Sequence, residues 1–329
     1  MDIKVPSDLT FFNSIDFCNY LDEIEEHEDF VFDFSSLATV EPFGMLLVGA
    51  KVRQFMERFP ESGYYDINYK HHSYAANMGF FKSMYQDYGH ELHGSRSYVP
   101  ITKLEVSKFH SDSRDNREHV VETVEREAGR LSQVLSNGDS ELKKTLTYSL
   151  REIIRNSVEH SESDHVWLAA QFWPTKNRVE VAILDEGIGI RRSLRKNKKL
   201  KIKSQKDALL LSLEPGITRK TPTRFDEDDP YANSGFGLFM TSRICKDGGD
   251  FAICSGKRVL ALNKRGNYFF DSSFSGTAIR MRLTVSRMSQ LSEMLAKLIK
   301  EGERTSRKNK KNTIITASKV SSLLIEDAE

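Results

Sequence analysis

The spacing of apolar and polar positions changes several times along the chain, and each change marks an element. Residues 30–34 (FVFDF) form a short apolar run that reads as a buried strand. After the loop SSLATVEPFG, the residues Met45, Leu46, Val48, Ala50, Val52, Phe55, Met56 and Phe59 make a broad helical stripe. YYDINYK (64–70) predicts a second strand and SYAANMGFFKSMYQDYG (73–89) a further helix, while DFCNYLDEIEE (16–26) also has helical spacing. Strands alternating with helices give a small α/β unit over residues 1–108. The polar stretch HSDSRDNR has no period, so residues 109–117 are read as a linker. Beyond it, Val120, Val121, Val124, Ala128, Leu131 and Val134 predict one helix, and the period resumes from Leu142 to Glu159. These helices open a second domain at 118–285, followed by a helix at 286–302 and a basic linker and tail at 303–329.

Four segments of the second domain carry candidate chemistry. In LTYSLREIIRNSVEHS (146–161), Glu152, Asn156 and His160 fall four apart and share one helical face. The amide oxygen of Asn156 suits magnesium without adding charge. Glu152 suits the orientation or deprotonation of a water. In VEVAILDEGIGI (179–190), a strand runs out at Asp185, whose carboxylate is placed to accept a hydrogen bond from an adenine amino group. Gly187 and Gly189 let the backbone approach the base. In NSGFGLFMTSRICKDGGD (233–250), Gly235 and Gly237 precede an amphipathic helix whose first amides favour phosphate oxygens. This segment lacks the lysine and hydroxyl of a P-loop, and no strand leads directly into it as a Rossmann fingerprint requires. In FSGTAIRMRL (274–283), Thr277 opens a strand and offers a hydroxyl.

In this order the four segments resemble the GHKL ATPases, the family of histidine kinases, anti-sigma kinases, type II topoisomerases, mismatch-repair ATPases and Hsp90 chaperones. The resemblance covers residues 115–285. It matches Glu152 and Asn156 to the N box, and Asp185, Gly187 and Gly189 to the first glycine box. Gly235 and Gly237 match the second glycine box, with Phe236 and Leu238 beside them taken as nucleotide contacts, and Thr277 matches the threonine near the base. It implies an α/β sandwich of the Bergerat type, with helices over one face of a mixed sheet and the base between helices and sheet. It also implies ATP or ADP with Mg²⁺ held through Asn156, a catalytic role for Glu152, and a lid at 191–232 that supplies Arg219 and Lys220 to phosphates. In the family the matching glutamate serves either hydrolysis or phosphate transfer to a protein, and the sequence leaves both open. His119 lies in the first of the domain's helices, but EHVVET lacks the pattern of a phosphoaccepting histidine.

The first unit resembles a STAS domain through VFDFSSLATVEPFGMLLVGAKV (31–52). Where that family has its Asp-Ser-Ser-Gly loop, this chain has Glu41, Pro42, Phe43 and Gly44. Phe43 stands at the acceptor position and has no oxygen to phosphorylate, so the resemblance implies a scaffold role there.

Composition narrows the setting. The 329 residues carry a formal net charge of +1, which argues against a wholesale polyanion binder. The charge is uneven, however. The lid begins with the basic RRSLRKNKKLKIKSQK, suited to a γ-phosphate, an acidic partner or, less favoured, nucleic acid through lid or tail. Three cysteines without CxxC spacing, and no apolar run long enough to span a bilayer, predict a cytoplasmic protein away from membranes. The expectation is a magnesium-dependent ATP-binding regulator with slow ATPase activity, contacting a protein partner or itself. A serine kinase of the anti-sigma type acting on a separate STAS-like partner, and a non-catalytic ATP sensor, are the alternatives.

Overall fold

The computed structural model describes residues 1–89, 97–219, 235–287 and 291–308. The N-terminal part contains β1 (Asp2–Lys4), β2 (Asp8–Leu9), α1 (Phe11–Glu23), β3 (Asp29–Asp33), β4 (Thr39–Val40), α2 (Pro42–Arg58), β5 (Gly63–Ile67), α3 (Ser73–Asn77) and α4 (Phe80–Ser83). β1, β3 and β5 form a parallel sheet in that order, and β2 pairs with β4. The single helix expected over 73–89 is two short turns broken at Gly79, which sits at φ 80°.

The chain continues as β6 (Tyr98–Glu105), α5 (Val106–Asn116), α6 (Val120–Leu135), α7 (Ser140–His160), β7 (His165–Trp173), β8 (Arg178–Asp185), α8 (Gly189–Leu194), α9 (Gln205–Ser212), α10 (Gly237–Gly248), β9 (Gly249–Asn263), β10 (Gly266–Thr284) and α11 (Leu291–Lys308). The sheet order is β6-β7-β8-β10-β9. Its pairs are all antiparallel, where a mixed sheet was expected. Three boundaries also differ from the sequence reading. Tyr98–Glu105, assigned above to the first unit, is the edge strand of this second sheet. The expected linker at 109–117 is mostly helix, because Phe109 and Ser113 turn inward from an otherwise polar surface. The helix placed at 286–302 runs from Leu291 to Lys308, taking in the start of the expected basic linker.

Both faces of the five-stranded sheet are covered. The odd positions Val179, Val181 and Ile183 of β8 join a core with α6, α7 and α10. The even positions Ala182 and Leu184 join a second core with Phe11, Phe43, Leu47 and other residues of α1 and α2. That opposite-face division follows from the two-residue period of a strand. The N-terminal part therefore shares a core with the second sheet. Charge fastens the same contact. Glu41 accepts from Arg178 at 3.1 Å and Arg280 at 3.4 Å, and the Phe43 N–H donates to Glu180 at 3.2 Å. Phe43 itself is buried against Phe11.

The first part of the expected lid has a small core of its own. Leu194, Ile202 and Ala208 are buried together, with Leu200, Leu211 and Ile217 packed around them. Ser204 and Asp207 make a reciprocal cap at the start of α9. Arg192, Arg195, Lys196, Lys198, Lys199, Lys201, Lys203 and Lys206 are exposed between the buried positions, while Arg191 and Arg219 are half-buried. The remainder of the lid, 220–232, and the tail, 309–329, lie outside the described residues. Among the described residues no helix is long and apolar enough to cross a membrane.

Candidate functional site

The site lies where α7 crosses the end of β8 and the N-terminus of α10 closes over it. An amphipathic pattern puts Ile153, Ile154 and Val158 of α7 into the core, and the same turns then present Asn156, Ser157 and His160 toward the sheet edge. Asp139 caps the helix through the Leu142 N–H at 2.8 Å, and Ser140 begins its first turn. His119 is a cap too: its Nδ1 accepts the Val121 N–H at 3.2 Å at the start of α6.

These elements enclose a cavity of about 100 Å³. Typical ligand clefts hold roughly 300–1,000 Å³, so this one encloses a ring-sized group and leaves anything larger to its open mouth. Its apolar walls are Ile153, Ile190, Leu194, Ile217, Leu238 and Ile279. Its polar groups come from Asn156, Ser157, Asp185 and Thr277, with Arg219 at one side. Asp185 and Thr277 stand opposite each other in the β8–β10 register, which brings together two residues 92 positions apart.

Asp185 is 4 % exposed. Its Oδ2 accepts from the Ser157 hydroxyl at 3.2 Å, and its Oδ1 accepts from the Gly187 N–H at 3.1 Å. Burial pushes its carboxyl up to about 7, against the pull of these two hydrogen bonds, and the neighbouring charge of Glu186 adds to the rise. A carboxyl group in an apolar slot, with its nearest donors neutral, is suited to meet a polar ring edge. His160, also on the wall, is held below the usual histidine range, chiefly by burial and further by Arg219 and Arg155, against the pull of Glu159.

The expected site residues separate into two groups. Asn156, Asp185, Gly189, Gly235, Gly237, Leu238 and Thr277 all line the cavity. Glu152, Gly187 and Phe236 do not. Gly187 backs onto the Ser161 carbonyl and supplies its N–H to Asp185. Phe236 is fully buried, packed edge-on to Phe239 and beneath Gly302 of α11. Glu152 is 7 % exposed and receives Arg151 at 2.9 Å. Its other oxygen packs under the backbone of Gly237, where a Cβ would come within 2.1 Å of it. Only glycine fits at that first position of α10, and the carboxylate thereby sits at the helix N-terminus. Gly235, at φ 70°, turns the chain into α10 beside the Ile217 carbonyl. Lys220 lies outside the described residues. Arg219 donates to the His160 carbonyl at 3.3 Å and to Glu162 at 3.0 Å, which seats the described lid segment on the end of α7.

Sequence reasoning missed Ser157, Ser193 and the apolar walls Ile190, Ile217 and Ile279. Ser157 follows Asn156 directly, and a helix that meets a sheet edge presents adjacent residues to it, so that signal was available.

The residues fit a magnesium nucleotide in a particular way. Among the described residues no cluster of three or more His, Cys, Asp or Glu side chains could hold a metal. Asn156 offers an amide oxygen at the wall, and Mg²⁺ habitually takes few protein ligands and completes its shell with phosphates and water.

With this geometry in view, the comparisons with known proteins are informative. No curated protein matches the chain. The STAS likeness of the N-terminal part has no family match behind it. Residues 142–287, from the start of α7 past the end of β10, match the family described as histidine kinase-, DNA gyrase B- and HSP90-like ATPase, and this stretch is a domain of that family.

Proposed function

We propose that this protein is a regulatory ATPase that binds ATP with Mg²⁺, hydrolyses it slowly, and passes nucleotide state to protein contacts. The observation that carries the reading is the buried Asp185 and the half-buried Thr277, in register at the end of β8 and both lining a ring-sized cavity with apolar walls. The Asp185 carboxylate accepts the amino group of the base, and the Thr277 hydroxyl sits beside it. The N-terminus of α10, after Gly235, offers its first amides to phosphate oxygens. Asn156, on the cavity wall, would hold Mg²⁺ bound with the nucleotide, and the ion would supply neutralisation of phosphate charge. Glu152, packed under the first residue of α10, orients the attacking water, with Arg151 fixing the carboxylate. Arg219, on the cavity wall, serves the phosphates from the lid side, and the sequence offers Lys220 for the same role. The burial of all three cysteines as free thiols supports a reducing, cytoplasmic setting. The N-terminal unit, STAS-like in sequence, acts as the scaffold through which contacts with a partner or a second copy are made. Its acceptor-site counterpart Phe43 is sealed in the shared core.

Calorimetric titration with ATP, with and without Mg²⁺, followed by phosphate release on the same sample, tests this directly. Saturable, Mg²⁺-dependent binding with slow release is expected. Glu152→Ala should keep the affinity and slow release by roughly 10²-fold or more, the usual worth of a positioned acid or base. Retained turnover in that variant would remove Glu152 from the mechanism, and an absence of binding would remove the nucleotide reading.

A further inference from the structure

Asp185 and Glu186 are adjacent, yet they look in opposite directions. Asp185 faces the cavity, while Glu186 faces the N-terminal unit. The Glu186 carboxylate accepts the Trp167 indole N–H at 3.0 Å and pairs with Arg53 of α2 at 3.1 Å. Arg53 also lies 4.2 Å over the face of the Trp167 ring, and it donates to the Ser83 carbonyl at 2.8 Å. Its side chain is only 7 % exposed. An arginine this buried differs from a surface ion pair, because loss of its carboxylate leaves a desolvated cation. Lys103 approaches the same indole ring at 5.4 Å.

The connection to the cavity is short. The residue after Glu186 is Gly187, and its N–H holds Oδ1 of Asp185. Backbone packing leaves little freedom here: a Cβ on Gly276 would meet the Asp185 carbonyl at 2.2 Å and the Glu186 Cα at 3.0 Å. A shift of α2 would thus be felt at Glu186 and at the 186–187 peptide, whose N–H holds the Asp185 carboxylate.

We propose that Arg53 and Glu186 are positioning residues of the nucleotide site, through which the N-terminal unit sets the affinity of the cavity for its base. This rests on the reading that the cavity takes the base of ATP. By linkage the effect is reciprocal: a partner that displaces α2 changes nucleotide affinity, and bound nucleotide changes the affinity for that partner by the same factor. Trp167, touching both Arg53 and Glu186, reports the state of the link.

The test uses the full chain carrying Trp173→Phe, which leaves Trp167 as its one tryptophan. ATP with Mg²⁺ is titrated by calorimetry and by tryptophan emission. A saturable change in Trp167 emission is expected, with the same midpoint as the heat. Glu186→Gln keeps the shape and an acceptor for the indole but removes the charge. Removing the Glu186 charge also relieves part of the rise of the Asp185 carboxyl, which by itself would favour the ionised acceptor. The variant should nonetheless weaken ATP roughly tenfold, inside the roughly 5–150-fold range of typical couplings, and that weakening reports lost positioning. Arg53→Met should do the same and uncouple Trp167 emission from bound ATP, while Arg53→Lys restores most of both. If Arg53→Met does not fold, the Glu186→Gln and Arg53→Lys results decide alone. ATP affinity unaltered in Glu186→Gln, or ATP bound with Trp167 emission unmoved, overturns the link and leaves the nucleotide reading standing. No heat of ATP binding in the Trp173→Phe protein and the unsubstituted chain overturns both.

Discussion

Strand β8 buries two carboxylates, one on each face of the sheet, and the surroundings of the two differ. Glu180 faces the N-terminal unit and is completely buried. Arg280 donates to it at 2.8 Å, the Phe43 N–H at 3.2 Å, and Arg280 also serves Glu41 and Asp250. Burial pushes the Glu180 carboxyl up while Arg280 pulls against it. Burial likewise opposes the charge on Arg280, and Glu180, Asp250 and Glu41 together outweigh it. Asp185, five residues on, faces the cavity with a hydroxyl and a peptide N–H as its donors. A carboxylate closed by a cation is a joint. One left in an apolar slot with only neutral donors is suited to meet a ligand. The same strand thus fastens one domain to another at its middle and opens a site at its end.

The largest expected effect breaks the joint. Arg280→Met leaves Glu180 buried without its cation, beside Glu41 and Asp250. Removing one partner of a buried pair costs roughly 3–5 kcal/mol, read as a lower midpoint in denaturant. The loss should shrink at acid pH. With Arg280 gone, the folded-state pKa of Glu180 stands above its unfolded value, so its contribution to stability falls as pH rises through that folded value. A variant as stable as the parent at neutral pH would show that the Glu180 cluster is not what fastens the N-terminal unit.

Asp185→Asn sharpens the other half of the comparison. Loss of a charged acceptor for the base should weaken ATP by roughly 1.5–3 kcal/mol, or about 10- to 150-fold. Stability should move the opposite way. Asp185 has a folded value of about 7 against an ordinary value of 3.8. Its contribution is therefore complete below the ordinary value and is lost as pH rises to about 7. The advantage of the asparagine variant over the parent should grow across that window and level off above it. Thermal midpoints at four or five pH values measure this, and parallel curves for the two proteins would refute the assignment.

How much of this was open to sequence reasoning depends on the element. The helices α2, α6 and α7 and the strands β3 and β8 carry their period plainly, and Asp185 and Gly237 fall at element ends. Glu152, however, lies in the middle of α7, and Thr277, expected to open a strand, lies inside β10 just after a break in its register. β7 was missed although Val166, Leu168, Ala170 and Phe172 alternate, because Ala169 and Trp167 between them are also apolar. The same near-continuous apolarity in β8, where Val181, Ala182, Ile183 and Leu184 run together, is the mark of a strand buried on both faces. It signalled that the N-terminal unit would cover the second face instead of standing apart behind a linker. What no spacing reveals is register. The meeting of Asp185 with Thr277, the packing of Glu152 under Gly237, and the clamp on Glu186 all depend on contacts between distant residues.

The smallest expected effect tests the cavity side at a single hydrogen bond. Ser157 donates to Asp185 at 3.2 Å and helps hold its carboxyl down against burial. Ser157→Ala removes that donor and leaves the Gly187 N–H in place, so the Asp185 carboxyl should rise further above its ordinary value. A net hydrogen bond is worth roughly 0.5–1.5 kcal/mol, so ATP affinity at neutral pH should fall about 2- to 10-fold. The more telling change is in protons. If the ionised carboxylate is the form that accepts the base, binding near pH 7 drives a proton off Asp185, and the variant, starting more protonated, should release more. Calorimetry in two buffers of different ionisation enthalpy reads this number. An equal release in parent and variant, with the affinity lowered, would mean that Ser157 contacts the ligand itself and does not act through Asp185.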